Sequence, residues 1–113
     1  MESFAKGDVV LFPFPFTNLT NRKLRPSLVL SDEMDEDIIL CQITSKYTRK
    51  DKFSILLNKN ETLNGSLMID SLIRTNMLFT ASKNQIVKKV CKLDKDKYNL
   101  VVEKIYQIIK VLW

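Results

Sequence analysis

Short apolar runs, broken by polar turns, fill the first 93 residues, and one amphipathic stretch closes the chain. Asp8–Phe16 (DVVLFPFPF) is apolar and β-prone, but Pro13 and Pro15 cannot donate ladder hydrogen bonds. A strand is therefore expected to start near Asp8 and to degrade into an extended edge by Pro13. Thr17–Lys23 is a polar loop, Pro26–Ser31 (PSLVLS) a buried strand, Asp32–Asp37 (DEMDED) an acidic turn and Ile38–Ser45 (IILCQITS) a further strand. A basic loop, Lys46–Lys52, precedes a strand at Phe53–Leu57 (FSILL), and Asn58–Gly65 is a polar connection. Ser66–Ile73 reads as a strand, and Leu78–Ala81 and Ile86–Leu93 as two weaker ones separated by Ser82–Asn84.

The last element has helical periodicity. Asp94 is a suitable N-cap, and Asp96 suits the positive end of the helix dipole. Tyr98, Val101, Val102, Ile105, Ile108, Ile109 and Leu112 recur at the spacing of one apolar face, which predicts a helix packed on a sheet. Many short strands and one closing helix predict a mainly β fold, a small twisted barrel rather than an alternating α/β sheet. No repeat and no Pro/Gly/Ser-rich linker appears, so residues 1–113 are expected to form a single domain.

Composition narrows the function classes. The formal net charge is +5, which suits a polyanionic partner but also fits a Lys-rich solvated surface. The N-terminal residues carry no long apolar run, and no stretch approaches the ~20 apolar residues of a membrane span. A soluble, cytoplasmic protein with no membrane association is expected. Cys41 and Cys91 form no C-x-x-C pair and read as buried thiols in a reducing compartment.

Histidine is absent, which removes the usual general acid/base and the commonest metal ligand. Phosphate-binding glycine loops and the G-x-S-x-G elbow are also absent. The acidic run at 32–37 offers oxygen ligands for a hard cation, but it reads first as a solvated turn. What remains is arginine and hydroxyl chemistry. Arg22, Arg25, Arg49 and Arg74 are the four arginines. Pro26 pushes Arg25 toward extended geometry, where its guanidinium is either a fork for a phosphate or an exposed charge. Thr44 and Ser45 end a strand, either at a cleft or as ordinary turn formers.

Four blocks taken together resemble the PemK/MazF toxins: GDVVLFPFPFTNLTNRKLRPSLVLS (Gly7–Ser31), ILCQITS (Ile39–Ser45), SLIR (Ser71–Arg74) and KKVCKLD (Lys88–Asp94). They occur in that family's order and span most of the chain. The resemblance implies an SH3-like barrel with a C-terminal helix, usually a homodimer. It implies metal-independent cleavage of single-stranded RNA, often mRNA, by attack of the 2′-hydroxyl to leave a 2′,3′-cyclic phosphate. No cofactor is implied, and the partner is a cognate antitoxin.

By the same resemblance, the catalytic Arg of the R-P motif falls on Arg25 and the catalytic Thr on Thr44. Asn18, Thr20, Lys23, Ser45, Ser71, Arg74 and Asn76 are the expected RNA contacts. Phe14 and Phe16 are candidates for base stacking, with core packing the alternative for at least one. Some members carry an Arg-x-Asp pair; its Arg falls on Arg74, but Asn76 stands at the carboxylate's place. A neutral amide cannot act as a general base, which keeps open a rival of another class, a catalytically silent binding module of the same fold.

Overall fold

The computed structural model describes residues 2–15, 22–45 and 51–112, apart from the side chains of Pro15 and Arg22. Among these residues seven strands follow in chain order: β1 (Asp8–Pro15), β2 (Arg22–Val29), β3 (Asp37–Thr44), β4 (Ser54–Leu57), β5 (Thr62–Leu63), β6 (Ser71–Ser82) and β7 (Lys88–Leu93). The helix α1 (Lys95–Ile109) closes the chain. All strand pairs are antiparallel, in the order β4-β6-β3-β2-β1-β7-β5. The sheet curls into an open half-barrel whose edges, β4 and β5, do not pair with each other. No helix of the described residues is long and apolar enough to cross a membrane.

β1 runs through both prolines instead of ending at Pro13. Pro13 pairs with Leu24 and Pro15 with Arg22, both on β2. The Leu11 carbonyl accepts from Val87 N, so odd-numbered residues of β1 turn their backbone polar groups toward β7. That strand pairs with β1 no further than Leu11↔Lys88, so beyond Leu11 no β7 neighbour asks for the missing N–H groups.

β2 starts at Arg22, four residues before the expected strand, because pairing with β1 extends that far. The acidic turn forms as read: Met34 and Asp37 exchange backbone hydrogen bonds of 2.8 and 3.0 Å, and Asp35 takes φ 58°, which Asp tolerates. Residues 66–70 are not strand, whereas 71–82 form one continuous strand where two had been expected. A capped 3-10 turn, Lys83–Gln85, then leads to β7.

Alternation along the strands produces two apolar clusters, one on each face. Val9, Leu28, Cys41, Ile43, Leu57, Ile73, Cys91 and Leu93 form the larger one, covered by Val101 with Tyr98 and Ile105 of α1. Val10, Phe12, Val29, Ile38, Leu40, Ala81 and Ile86 form the other, with Phe4, Phe14 and Phe79 packed against them. Asp94 caps α1 as expected, accepting from Lys97 N at 2.7 Å, and Tyr98 Oη donates to the Leu30 carbonyl at 2.8 Å.

The helix is less buried than its periodicity predicts. Val101 is its sole buried residue, while Val102, Ile108 and Ile109 are exposed. Leu112 lies beyond the helix end and is also exposed. The apolar cluster of the sheet takes in the narrow stripe at 98, 101 and 105, spaced i, i+3, i+7.

Candidate functional site

Strand order puts the two expected catalytic residues on neighbouring strands. β2 and β3 pair Ser27 with Gln42, Leu28 with Cys41 and Val29 with Leu40. The ladder ends at Ser27↔Gln42; Arg25 lies two residues before Ser27 and Thr44 two residues past Gln42, at the same end of this strand pair. On the outer sides, Arg25 pairs with Phe12 of β1 and Thr44 with Leu72 of β6. Leu28, Cys41 and Ile43 point into the cluster under the helix. Alternation therefore aims Arg25 and Thr44 at the opposite face, which α1 leaves open. Both side chains are half-buried.

Arg74 joins them through an irregularity in β6. Cys41 pairs with Leu78 and Ile43 with Ile73, so the single residue Gln42 faces the whole segment 74–77. Bulges of this kind bend a strand and re-aim its side chains. This one is stitched in place: the Cys41 thiol donates to the Arg74 carbonyl at 3.0 Å, and both N and Oγ1 of Thr75 donate to the Phe53 carbonyl. Arg74 pairs with Ser54 on β4 and shares the open face with Arg25 and Thr44, since its neighbour Ile73 lies under the helix.

A carboxylate that the sequence reading placed in a basic loop completes this corner. Asp51 Oδ2 lies 3.8 Å from an Arg74 guanidinium nitrogen, with both side chains about one third exposed (35% and 28%). Asp51 Oδ1 accepts from Phe53 N at 2.9 Å and from Ser54 Oγ at 3.0 Å. The Phe53 N–H, helped by Ser54 and the Arg74 charge, holds the Asp51 carboxyl below its ordinary range, so it is ionised at neutral pH. The Nε of Arg74 is buried and donates to no described residue. The local signal was present as Asp followed by a turn and a strand, a common Asx-turn pattern, but nothing in the spacing tied position 51 to position 74.

The remaining expected contacts divide. Lys23, Ser45 and Asn76 are exposed, Asn76 within the bulge beside Arg74. Ser71 is not on the accessible surface: it is 2% exposed and its hydroxyl donates to the Ile69 carbonyl at 3.1 Å. Asn18 and Thr20 lie outside the described residues, as does Phe16. Phe14 packs with Phe12 and Phe79 in a trio whose ring centroids are each 5.4 Å apart, so core packing is its role.

The acidic turn serves structure. Glu33 accepts from Lys83 Nζ and from Phe4 N, both at 2.8 Å, and Glu36 accepts from Asn84. These bonds tie the turn to the 3-10 segment and to the N-terminal residues. Cys41 and Cys91 are buried free thiols, and burial pushes Cys41 up to about 12.

Residues 5–109 match the family model described as the PemK-like, MazF-like toxin of type II toxin-antitoxin systems. The chain belongs to this family. No curated protein matches it at the sequence level. Among solved structures, it is similar to an endoribonuclease in complex with its cognate antitoxin from a mycobacterial species, with TM-score 0.74 and 11% identity over 100% of this chain and 99% of that one. It is also similar to a MazE-MazF structure from Deinococcus radiodurans, with TM-score 0.73 and 17% identity over 99% and 100% of the two chains. The Mycobacterium tuberculosis toxin MazF-mt6 aligns with TM-score 0.66 and 16% identity over 92% and 99%. At such identities these likenesses speak for the fold, and the toxin family membership rests on the match across 5–109.

Proposed function

We propose that this toxin-family chain is a metal-independent endoribonuclease that cleaves single-stranded RNA, mRNA in particular, in the cytoplasm. A cognate antitoxin holds it in check. The observation that supports the reading is that Arg25 and Thr44 stand at the same end of neighbouring strands, in line with the helix-free face, with Arg74 on the strand beyond. RNA supplies its own nucleophile. The 2′-oxygen attacks the adjacent phosphorus, the bond from phosphorus to the 5′-oxygen breaks, and a 2′,3′-cyclic phosphate and a 5′-hydroxyl result.

Arg25 stabilises the charge that grows on the phosphate oxygens, since a guanidinium presents a two-pronged fork and stays protonated. Thr44 positions the phosphate by one hydrogen bond, and Arg74 adds a second cation. Neutral Asn76 cannot accept the 2′-hydroxyl proton, which passes to water or a phosphate oxygen; water protonates the leaving oxygen. Two features support metal independence. The sequence has no His, and Glu33 and Glu36 of the acidic turn already hold Lys83 and Asn84. The apolar residues left exposed at Ile108, Ile109 and Leu112 support a homodimer.

Purified protein incubated with heterogeneous mRNA in EDTA should yield fragments ending in 2′,3′-cyclic phosphate at a common sequence. Cleavage that stopped with EDTA and returned with magnesium or manganese would overturn metal independence. Tight RNA binding with no cleavage under any condition would instead identify the silent binding module.

A further inference from the structure

We propose that Asp51 is a positioning residue for Arg74: it supplies, from the turn before β4, the carboxylate that Asn76 does not provide on β6. The inference rests on the nuclease reading above and deepens it.

Three observations converge on Asp51. Its Oδ2 is the partner of the Arg74 guanidinium, at 3.8 Å. Its Oδ1 is fixed by Phe53 N and Ser54 Oγ, so the carboxylate is pre-oriented and does not have to be ordered when RNA arrives. The backbone on both sides is locked as well, because Ser54 pairs with Arg74 and Thr75 donates twice to the Phe53 carbonyl. The turn carrying Asp51 and the bulge carrying Arg74 are thereby one rigid unit. An arginine on a bulge, with Nε buried and without a described acceptor, is held only through its terminal nitrogens. The carboxylate fixes which way those nitrogens face and leaves the rest of the fork for a phosphate. Asp51 touches Arg74 and is not given a proton-transfer role.

The test is a set of variants read by single-turnover cleavage of a target RNA and by 15N NMR of the Arg74 side chain. Asp51→Asn keeps the shape and an acceptor for Phe53 N but loses the charge. It should slow cleavage about 10- to 100-fold, the scale of misplacing a group that binds the reacting phosphate. Asp51→Glu, which displaces the charge by one methylene, should lose less and serves as the second variant if Asp51→Asn folds poorly. In an Arg74→Ala background, Asp51→Asn should add almost nothing. Asn76→Asp should restore most of the rate lost in Asp51→Asn, which a merely structural role would not produce.

In the NMR experiment, the two Nη groups of Arg74 should give separate signals in the parent protein and merge once Asp51 is neutral. An unchanged rate in folded Asp51→Asn would overturn the proposal, and so would an equal loss with or without Arg74. If the parent protein cleaves no RNA, the nuclease reading fails by itself. The NMR signals then decide the Asp51–Arg74 pairing, and an Arg74 side chain indifferent to Asp51→Asn overturns it.

Discussion

Removing the Arg25 guanidinium separates catalytic loss from structural loss with unusual clarity. Losing one preorganised donor to a developing oxyanion costs about 100- to 1,000-fold in rate, or roughly 3–4 kcal/mol of transition-state stabilisation. Arg25→Ala should therefore reduce single-turnover cleavage by that factor. Unfolding cannot imitate the loss cheaply. A 100-fold drop by unfolding alone requires the unfolded form to outweigh the folded one by 100 to 1, about 2.7 kcal/mol beyond the midpoint. A domain of this size begins with roughly 5 kcal/mol or more, so the substitution would have to remove close to 8 kcal/mol.

The packing of the Arg25 stem falls well short of that scale. It is half-buried, on the face away from the helix, and its stem neighbours Phe12 across the strand pair. Losing that packing costs on the order of 1 kcal/mol, a shift of roughly 4 °C in Tm. Arg25→Lys should rescue little, because an ammonium is a point charge without the fork. Thr44→Ala, which removes one hydrogen bond, should lose about 10-fold. The assay is single-turnover cleavage of a single-stranded RNA containing the target site, with a melting curve for each variant. Full activity in folded Arg25→Ala would refute the proposed site, and a Tm lowered by tens of degrees would refute the account of Arg25 as a non-structural residue.

Three further outcomes are expected. Gly65 adopts φ +138°, and a Cβ there would lie 2.3 Å from the Val90 carbonyl oxygen, so Gly65→Ala should lower Tm by about 10 °C or more in a thermal melt. The Lys83 hydrogen bond, with that of Phe4 N, lowers Glu33 below its ordinary 4.5, so this pair's stabilisation is full above that pH and lost as pH falls through the lowered value. Acid melts of Lys83→Met should show a weaker fall with pH over that interval than the parent protein. Light scattering at micromolar concentration should report about twice the 13.2 kDa chain mass, and Ile109→Lys should shift it toward the monomer; a monomer in both would remove the support that the exposed helix end gives to a dimer.

The sequence by itself determined the features whose causes are local. Short apolar runs between polar turns marked most strands, a side-chain oxygen at Asp94 marked the start of α1, and consecutive acids marked the turn between β2 and β3. The ordered blocks carried Arg25 and Thr44, because a motif preserves residue types even where geometry is invisible. Tertiary structure decided everything that depends on a neighbour distant in the chain. Prolines 13 and 15 stay in β1 because β7 stops short of them. Residues 74–77 join two expected strands into one because β3 and β4 hold the bulge from both sides. Ser71 is buried, and Val102, Ile108 and Ile109 exposed, because the curl of the sheet sets which surface is covered. Asp51 meets Arg74, 23 positions further along the chain, for the same reason: a strand pair brings together residues that no local pattern relates.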